Sequence, residues 1–281
     1  MRALIEPSAL HAWQEQGRPV AVFDCQFVLS DPLEGPEYYD GAHIPGAHYA
    51  HLETDLAGPH REGNGRHPLP PPAQLVGLLE RCGVTRDMPV VVYDQDAGVY
   101  ASRLWWMLQW IRHPQAYLLN GGLMAWRKAG FPVTAARPDV KPVTYAFDGI
   151  VRNDLVVQTG DLLPEAARAR WMLVDARGAA RFRGETEPFD VVAGHIPGAV
   201  NHPFEANLTK ARSLRPGAEL RADFTAFLGG RSPDDVVHYC GSGVSACHNA
   251  LAMYEAGFEL GRLYVGSWSA WIADPARPVA R

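Results

Sequence analysis

The strongest constraint on this chain is that it repeats itself. Gly41-Ala42-His43-Ile44-Pro45-Gly46-Ala47 returns as Ala193-Gly194-His195-Ile196-Pro197-Gly198-Ala199, with His43 and His195 152 residues apart. Val91-Val92-Tyr93-Asp94 is answered by Val237-His238-Tyr239-Cys240 at an offset of 146, and Asn120-Gly121-Gly122-Leu123-Met124-Ala125-Trp126 by Val265-Gly266-Ser267-Trp268-Ser269-Ala270-Trp271 at 145. Three matches in the same order with drifting offsets mark a duplication with small insertions and deletions. Whatever one half folds into, the other half folds into as well. A length of 281 residues, at roughly 150 per domain, fits two such copies.

Each half reads as the same ladder. Short β-branched runs at 20–24, 90–93 and 116–119 alternate with helical patterns at 73–82, 100–112 and 123–128. The second half repeats this with strands at 172–175, 236–239 and 262–265 and helices at 218–228, 245–256 and 268–272. Strands without polar alternation, separated by helices, predict an α/β fold: in each half a mostly parallel sheet covered by helices on both faces. The stretch 131–153 carries Pro132, Pro138 and Pro142 and no sustained periodicity, which marks the connection between the halves. We place the first domain at 1–135, the linker at 136–156 and the second domain at 157–281.

Composition narrows the class. Twenty-six Lys and Arg against 31 Asp and Glu give a net charge of −5, and 47% of residues are hydrophobic, which argues against a nucleic-acid-binding stripe, a basic membrane-surface protein and a disordered chain. The amino terminus shows no charged start followed by an apolar block, and no stretch approaches 18 apolar residues, so neither an export signal nor a membrane span is expected. The four cysteines, Cys25, Cys82, Cys240 and Cys247, include no Cys-x-x-Cys pair and are too few for a disulfide scaffold. They point to a reducing, cytoplasmic setting in which a working cysteine acts as a thiolate.

In a doubly wound sheet, ligands sit beyond the carboxyl ends of the strands, where loops turn into helix amino termini. The two central strands end there on different groups. Asp94-Gln95-Asp96-Ala97-Gly98-Val99 follows the first, and Cys240-Gly241-Ser242-Gly243-Val244-Ser245 the second. A cysteine leading a glycine-rich turn into a helix lies where several backbone N–H groups can point at one sulfur, which favours the thiolate. Gly241 and Gly243 would permit positive φ and close approach to an anion. Phosphate chemistry through such a cysteine needs an arginine six positions on, and that position holds Ala246. A thiolate cradled by N–H groups can instead attack sulfur and hold it as a persulfide.

The duplicated domain, the paired His-Ile-Pro-Gly-Ala motifs, the Asp94 and Cys240 asymmetry and the run from Cys240 to Cys247 together resemble the tandem-domain rhodanese family. Within it, a Cys-Gly-Ser-Gly-Val loop is more similar to the branch using 3-mercaptopyruvate than to the thiosulfate branch, whose loop carries basic residues. The resemblance implies two tandem rhodanese-like domains, the first inactive and completing the cleft, the second catalytic. It implies an enzyme, a sulfurtransferase in which Cys240 takes sulfur from a small anionic donor and passes it to cyanide or a small thiol or thioredoxin-like acceptor. It calls for no cofactor and no metal.

The resemblance also carries individual residues. Arg181, in Arg181-Phe182-Arg183-Gly184, matches the arginine that binds the donor's anionic end, and a guanidinium fork suits a carboxylate or sulfonate. A second arginine expected after the Glu-Pro pair is missing, since Glu187-Pro188 leads into Phe189-Asp190; Arg183 is the alternative fork. Gly241, Gly243, Val244 and Ser245 complete the expected binding loop. Ser242 matches the serine of a relay, His67 its histidine and Glu53 its acid, with Asp55 competing for the last place. The thiosulfate reading stays open because of the missing arginine, and a non-catalytic sulfur carrier or sensor using the same cleft stays open beside it. Other features read as ordinary structure. The histidines from His43 to His67 lack the spacing of a metal site, Trp105, Trp106 and Trp110 read as core, and Cys247, two helical turns after Cys240, reads as buried.

Overall fold

The computed structural model describes residues 3–281, so residues 1 and 2 of the expected first domain lie outside the described residues. The first half holds strands β1 (Leu4–Ile5), β2 (Ala21–Asp24), β3 (Ala47–Tyr49), β4 (Val90–Tyr93) and β5 (Ala116–Leu119), in the sheet order β1-β5-β4-β2-β3. The second holds β6 (Val156–Val157), β7 (Met172–Asp175), β8 (Val200–Asn201), β9 (Val236–Tyr239) and β10 (Arg262–Tyr264), in the order β6-β10-β9-β7-β8. Every pairing is parallel, and the two orders are the same pattern repeated. All four residues of β4 and of β9 are buried, as expected for a central strand covered on both faces.

The inner strands match runs that the sequence predicts, whereas β1, β3, β6 and β8 do not. Two or three residues carry no readable period. They join the sheets as parallel edge partners of longer strands.

Helices α1 (Pro7–Glu15), α2 (Glu34–Gly41), α3 (Pro72–Arg81), α4 (Ala101–Trp110) and α5 (Gly122–Lys128) surround the first sheet. Helices α6 (Thr159–Leu162), α7 (Glu165–Arg170), α8 (Ala179–Phe182), α9 (Gly217–Leu228), α10 (Ser245–Glu255) and α11 (Ser267–Trp271) surround the second. Helices α4 and α10 each lead from a central strand, and they pack against one another across the domain boundary. Nine of the ten residues of α4 are buried, which is how a helix apolar on all sides must sit. One hydrophobic cluster therefore runs through both halves, from Phe23 and Trp105 to Cys247 and Leu251. Trp105 is fully buried, donates through Nε1 to the Ala116 carbonyl at 3.1 Å and lies 5.5 Å from the Tyr254 ring. Trp105→Ala is expected to cost about 3–5 kcal/mol, read as a lowered urea midpoint.

The repeated His-Ile-Pro-Gly motif is structural in both copies. His43 stacks on Tyr39 and bonds its carbonyl through Nδ1 at 2.6 Å; His195 stacks on Phe182 and bonds its carbonyl at 2.8 Å. Each histidine's backbone bridges the end of its own half, His43 to Thr134 and His195 to Ala280. The next amide, of Ile44 or Ile196, donates to the tyrosine that ends the central strand.

The connection between domains has no regular element from 135 to 152 but is stitched to the first domain. Val143 N–H donates to the Glu80 carbonyl, Tyr145 Oη bonds His113 Nδ1 at 2.8 Å, and Arg152 N–H donates to the Trp110 carbonyl at 2.8 Å. No helix among the described residues is long and apolar enough to cross a membrane.

Candidate active site

Strand β9 ends at Tyr239, and the chain enters α10 only at Ser245, so Cys240 to Val244 form a buried, irregular turn at the carboxyl edge of the second sheet. The following turn pins it from below. Cys240 N–H donates to Ser267 Oγ at 3.2 Å, while Trp268 N–H and Ser269 N–H donate to the carbonyls of Cys240 and Gly241, both at 2.9 Å. Ser267 holds the left-handed conformation, φ 53°, which its counterpart Gly122 (φ 56°) adopts in the first domain. Serine pays steric strain there and returns a hydroxyl that fixes the Cys240 backbone.

What this turn is built to do is visible in the first domain. Asp94, at the position equivalent to Cys240, is buried, and its Oδ1 accepts from Gly98 N–H at 2.8 Å and Asp96 N–H at 3.2 Å. Its Oδ2 accepts from Tyr100 N–H at 2.8 Å and Ala101 N–H at 3.3 Å. Burial pushes the Asp94 carboxyl up, against the N–H donors that favour its anion. The turn is thus an anion cradle. In the second domain the cradled group is sulfur: Gly243 N–H donates to Cys240 Sγ at 3.2 Å, with Gly243 at φ 80°.

Cys240 opens onto a cleft of about 420 Å³ between the two domains. Gly241, Ser242, Val244 and Ser245 line it from the cysteine turn, and Asp94, Gln95 and Tyr100 from the first domain. Ser242 Oγ lies 2.7 Å from His67 Nδ1, a contact that joins the two halves across 175 residues. Burial, then the nearby Arg103 and Arg66 guanidinium groups, pull the His67 imidazole down to about 3, so it is neutral at physiological pH and can accept the Ser242 hydroxyl proton.

Arg103, on α4, is fully buried behind this turn and donates to three carbonyls: Leu56 at 3.3 Å, His67 at 3.1 Å and Gly243 at 2.9 Å. Among the described residues no carboxylate pairs with it. It fixes the histidine loop against the cysteine turn and leaves an uncompensated positive charge next to Gly243.

The Rhodanese-like domain family profile matches residues 6–129 and 159–274, most of both halves. The chain belongs to the rhodanese family. This rhodanese is 48% identical over 261 residues, 92% of the chain and 91% of the relative, to a Pseudomonas aeruginosa protein named "Probable 3-mercaptopyruvate sulfurtransferase". It is 33% identical over 277 residues, 96% of the chain and 93% of the relative, to a Gallus gallus thiosulfate sulfurtransferase. Among solved structures it resembles the 3-mercaptopyruvate sulfurtransferase of Leishmania major, with a TM-score of 0.83 at 29% identity over 95% of this chain and 73% of that one. It also resembles the Escherichia coli protein SseA, described as a 3-mercaptopyruvate sulfotransferase, with a TM-score of 0.80 at 27% identity over 96% of this chain and 100% of that one.

Against this rhodanese frame, the expected site residues divide. Cys240, Ser242, His67, Arg181 and the loop residues Gly241, Val244 and Ser245 come together at or beside the cleft. Glu53 does not join them. It is exposed, and its N–H donates to His51 Nδ1; the competing Asp55 takes the His51 N–H and pairs with Arg81. No carboxylate among the described residues bonds His67, so the hydrogen-bonded pair is Ser242 and His67, with Arg103 holding the histidine backbone. Arg183 is also displaced: it pairs with Glu185 at 2.7 Å, its side chain 55% exposed and away from the cleft wall. Gly241 has no positive φ; its missing Cβ matters because that atom would lie 2.9 Å from Arg66 Nη2. Among the described residues one N–H, that of Gly243, rather than several reaches the sulfur. Cys247 is fully buried and donates to the Gly243 carbonyl at 3.3 Å.

Sequence reasoning missed Arg66 and Arg103. Arg66 stood beside His67 in the same motif, so its position was available; Arg103 lies in a helix whose apolar run draws attention to its tryptophans.

Proposed function

We propose that this protein is a sulfurtransferase that takes sulfur from 3-mercaptopyruvate, carries it as a persulfide on Cys240 and passes it to cyanide or a small thiol. The observation that carries the donor assignment is the 2.7 Å pair of Ser242 Oγ and His67 Nδ1 at the edge of the cysteine turn. A thiol donor leaves a carbon anion that must gain a proton, and this pair can move one.

In the proposed sequence the Cys240 thiolate attacks the donor sulfur, a new S–S bond forms, and the C–S bond breaks with its electron pair passing to carbon as the enolate of pyruvate. The Ser242 hydroxyl, held by neutral His67, delivers a proton to that carbon and is reprotonated from the persulfide S–H. Cyanide or a thiolate then attacks the outer sulfur and returns the Cys240 thiolate. Gly243 N–H and the adjacent Arg103 charge stabilise the anionic sulfur in both states. Arg181, in the cleft wall, supplies the guanidinium for the donor's carboxylate.

Because His67 is already neutral, the rate is expected to show no limb from it between about pH 5 and 8. A kcat profile measured beside His67→Gln checks this, and an acid limb near the usual histidine range that vanishes in the variant would contradict it.

A second reading, thiosulfate as donor with sulfite leaving, is favoured by the guanidinium-rich wall and by the absence, among the described residues, of any carboxylate bonded to His67. Side-by-side initial rates with 3-mercaptopyruvate and thiosulfate, cyanide as acceptor, decide between them. A large preference for 3-mercaptopyruvate supports the proposal; a preference for thiosulfate overturns it. Four free, buried cysteines accord with a reducing cytoplasm as the place of work.

A further inference from the structure

Two guanidinium groups from different domains converge over the residue that follows Cys240. Arg66 arrives on the loop that carries His67, and that loop is docked on the second domain: Arg66 N–H donates to Ser269 Oγ at 3.0 Å. A Cβ on Gly241 would sit 2.9 Å from Arg66 Nη2, 3.4 Å from Arg181 Nη2 and 3.8 Å from Arg181 Nη1. Both arginines line the cleft with Cys240.

Two like charges this close repel unless something lies between them. Asp190 does. Its Oδ1 accepts from Arg66 Nη1 and its Oδ2 from Arg181 Nη2 at 3.5 Å, while Glu187 holds Arg181 at 2.6 Å and Arg177 at 3.1 Å. The result is an alternating row, Asp175, Arg177, Glu187, Arg181, Asp190, Arg66, that begins on β7 and crosses to the first domain. The Asp190 side chain is only 4% exposed and is not part of the cleft wall, so it braces the arginines from behind. Arg66 Nη2 and Arg181 Nη1 donate no bond to this row and lie within 4 Å of the place a Gly241 Cβ would take. Arg66 Nε is buried without a partner.

We infer that Arg66 is the second guanidinium of the donor site, so that an anionic donor is gripped by one arginine from each domain, with Asp190 as the positioning residue that holds the two forks together. This rests on the reading of the donor as a small carboxylate. It also gives the first domain a direct part in substrate binding.

The test compares Arg66→Gln, Arg66→Lys and Asp190→Asn with the unaltered chain in two measurements. One is kcat and KM for 3-mercaptopyruvate; the other is the pyruvate concentration that half-protects Cys240 from iodoacetamide, which needs no turnover. Arg66→Gln is expected to raise KM and the half-protecting concentration by about tenfold or more, with less change in kcat, as loss of a charge-assisted pair implies. Lysine restores part of the loss, because it keeps the charge and not the fork. Asp190→Asn raises both values by less, and adds little on top of Arg66→Gln. If Arg66 only ties the domains together, its variants lower the unfolding midpoint while half-protection stays within about twofold, which overturns the inference. A fall in KM for Asp190→Asn overturns the brace, since it would mark Asp190 as a competitor for the same forks. If the unaltered chain turns over no 3-mercaptopyruvate, the donor reading fails, yet pyruvate protection and its loss in Arg66→Gln still decide the arginine pair. Absence of any pyruvate protection in the unaltered chain overturns the pair as well.

Discussion

Cys240→Ser is expected to abolish sulfur transfer, lowering kcat by at least about 10³-fold with any donor, because the nucleophile is lost while the cleft remains. Serine has the same number of heavy atoms as cysteine, with a smaller oxygen in place of sulfur, and can still accept from Gly243 N–H, which now reaches Sγ at 3.2 Å. The turn is pinned independently, through Ser267 Oγ and through the Trp268 and Ser269 amides, so the variant should fold with little loss of stability. Intact mass after exposure to donor gives the second readout. The unaltered protein gains one sulfur atom, which cyanide removes, and the variant gains none. Retained turnover in Cys240→Ser would move the chemistry elsewhere, and no other cysteine is placed for it. Cys247 is sealed in α10, where burial pushes its thiol up to about 12, and burial also pushes Cys82 up, to about 11.

Ser242→Ala is expected to lower kcat with 3-mercaptopyruvate by about 10²- to 10³-fold, and with thiosulfate by no more than a few-fold. The asymmetry follows from the leaving groups: the enolate of pyruvate needs a proton to become pyruvate, whereas sulfite departs as a stable anion. His67→Ala should match Ser242→Ala, and the double variant should be little worse than either, because the 2.7 Å pair moves one proton as a unit. Equal losses with both donors would instead show that Ser242 shapes the cysteine turn. Removing Glu53, which is exposed and makes no bond to His67, is expected to change neither rate.

Several things about this protein were determined by the sequence by itself, and each is a local property. The duplication, the two α/β halves, the ends of the central strands and the difference between Asp94 and Cys240 all lie in short contiguous stretches. Hydrophobic period and turn chemistry act there directly. The strand β9 followed by a glycine-bearing turn into α10 was legible as an anion-facing site for the same reason. Membership of the rhodanese family was legible too, since its motifs are stretches of this kind.

What the tertiary structure decided alone is which side chains reach that turn from the other half. Arg103 meets Gly243 across 140 residues, and Arg66 meets Asp190 across 124. Spacing along the chain says nothing about such pairs, because they depend on α4 packing against α10 and on the His67 loop docking over Ser269. Glu53 shows the converse: a plausible distance from His43 placed it near the site, while the fold turned it to solvent. The Ser242 and His67 pair therefore stands without the acid that motif reasoning supplied. The cleft is instead organised by arginines, since a guanidinium can satisfy several carbonyls or carboxylates at once where two domains close around a buried sulfur.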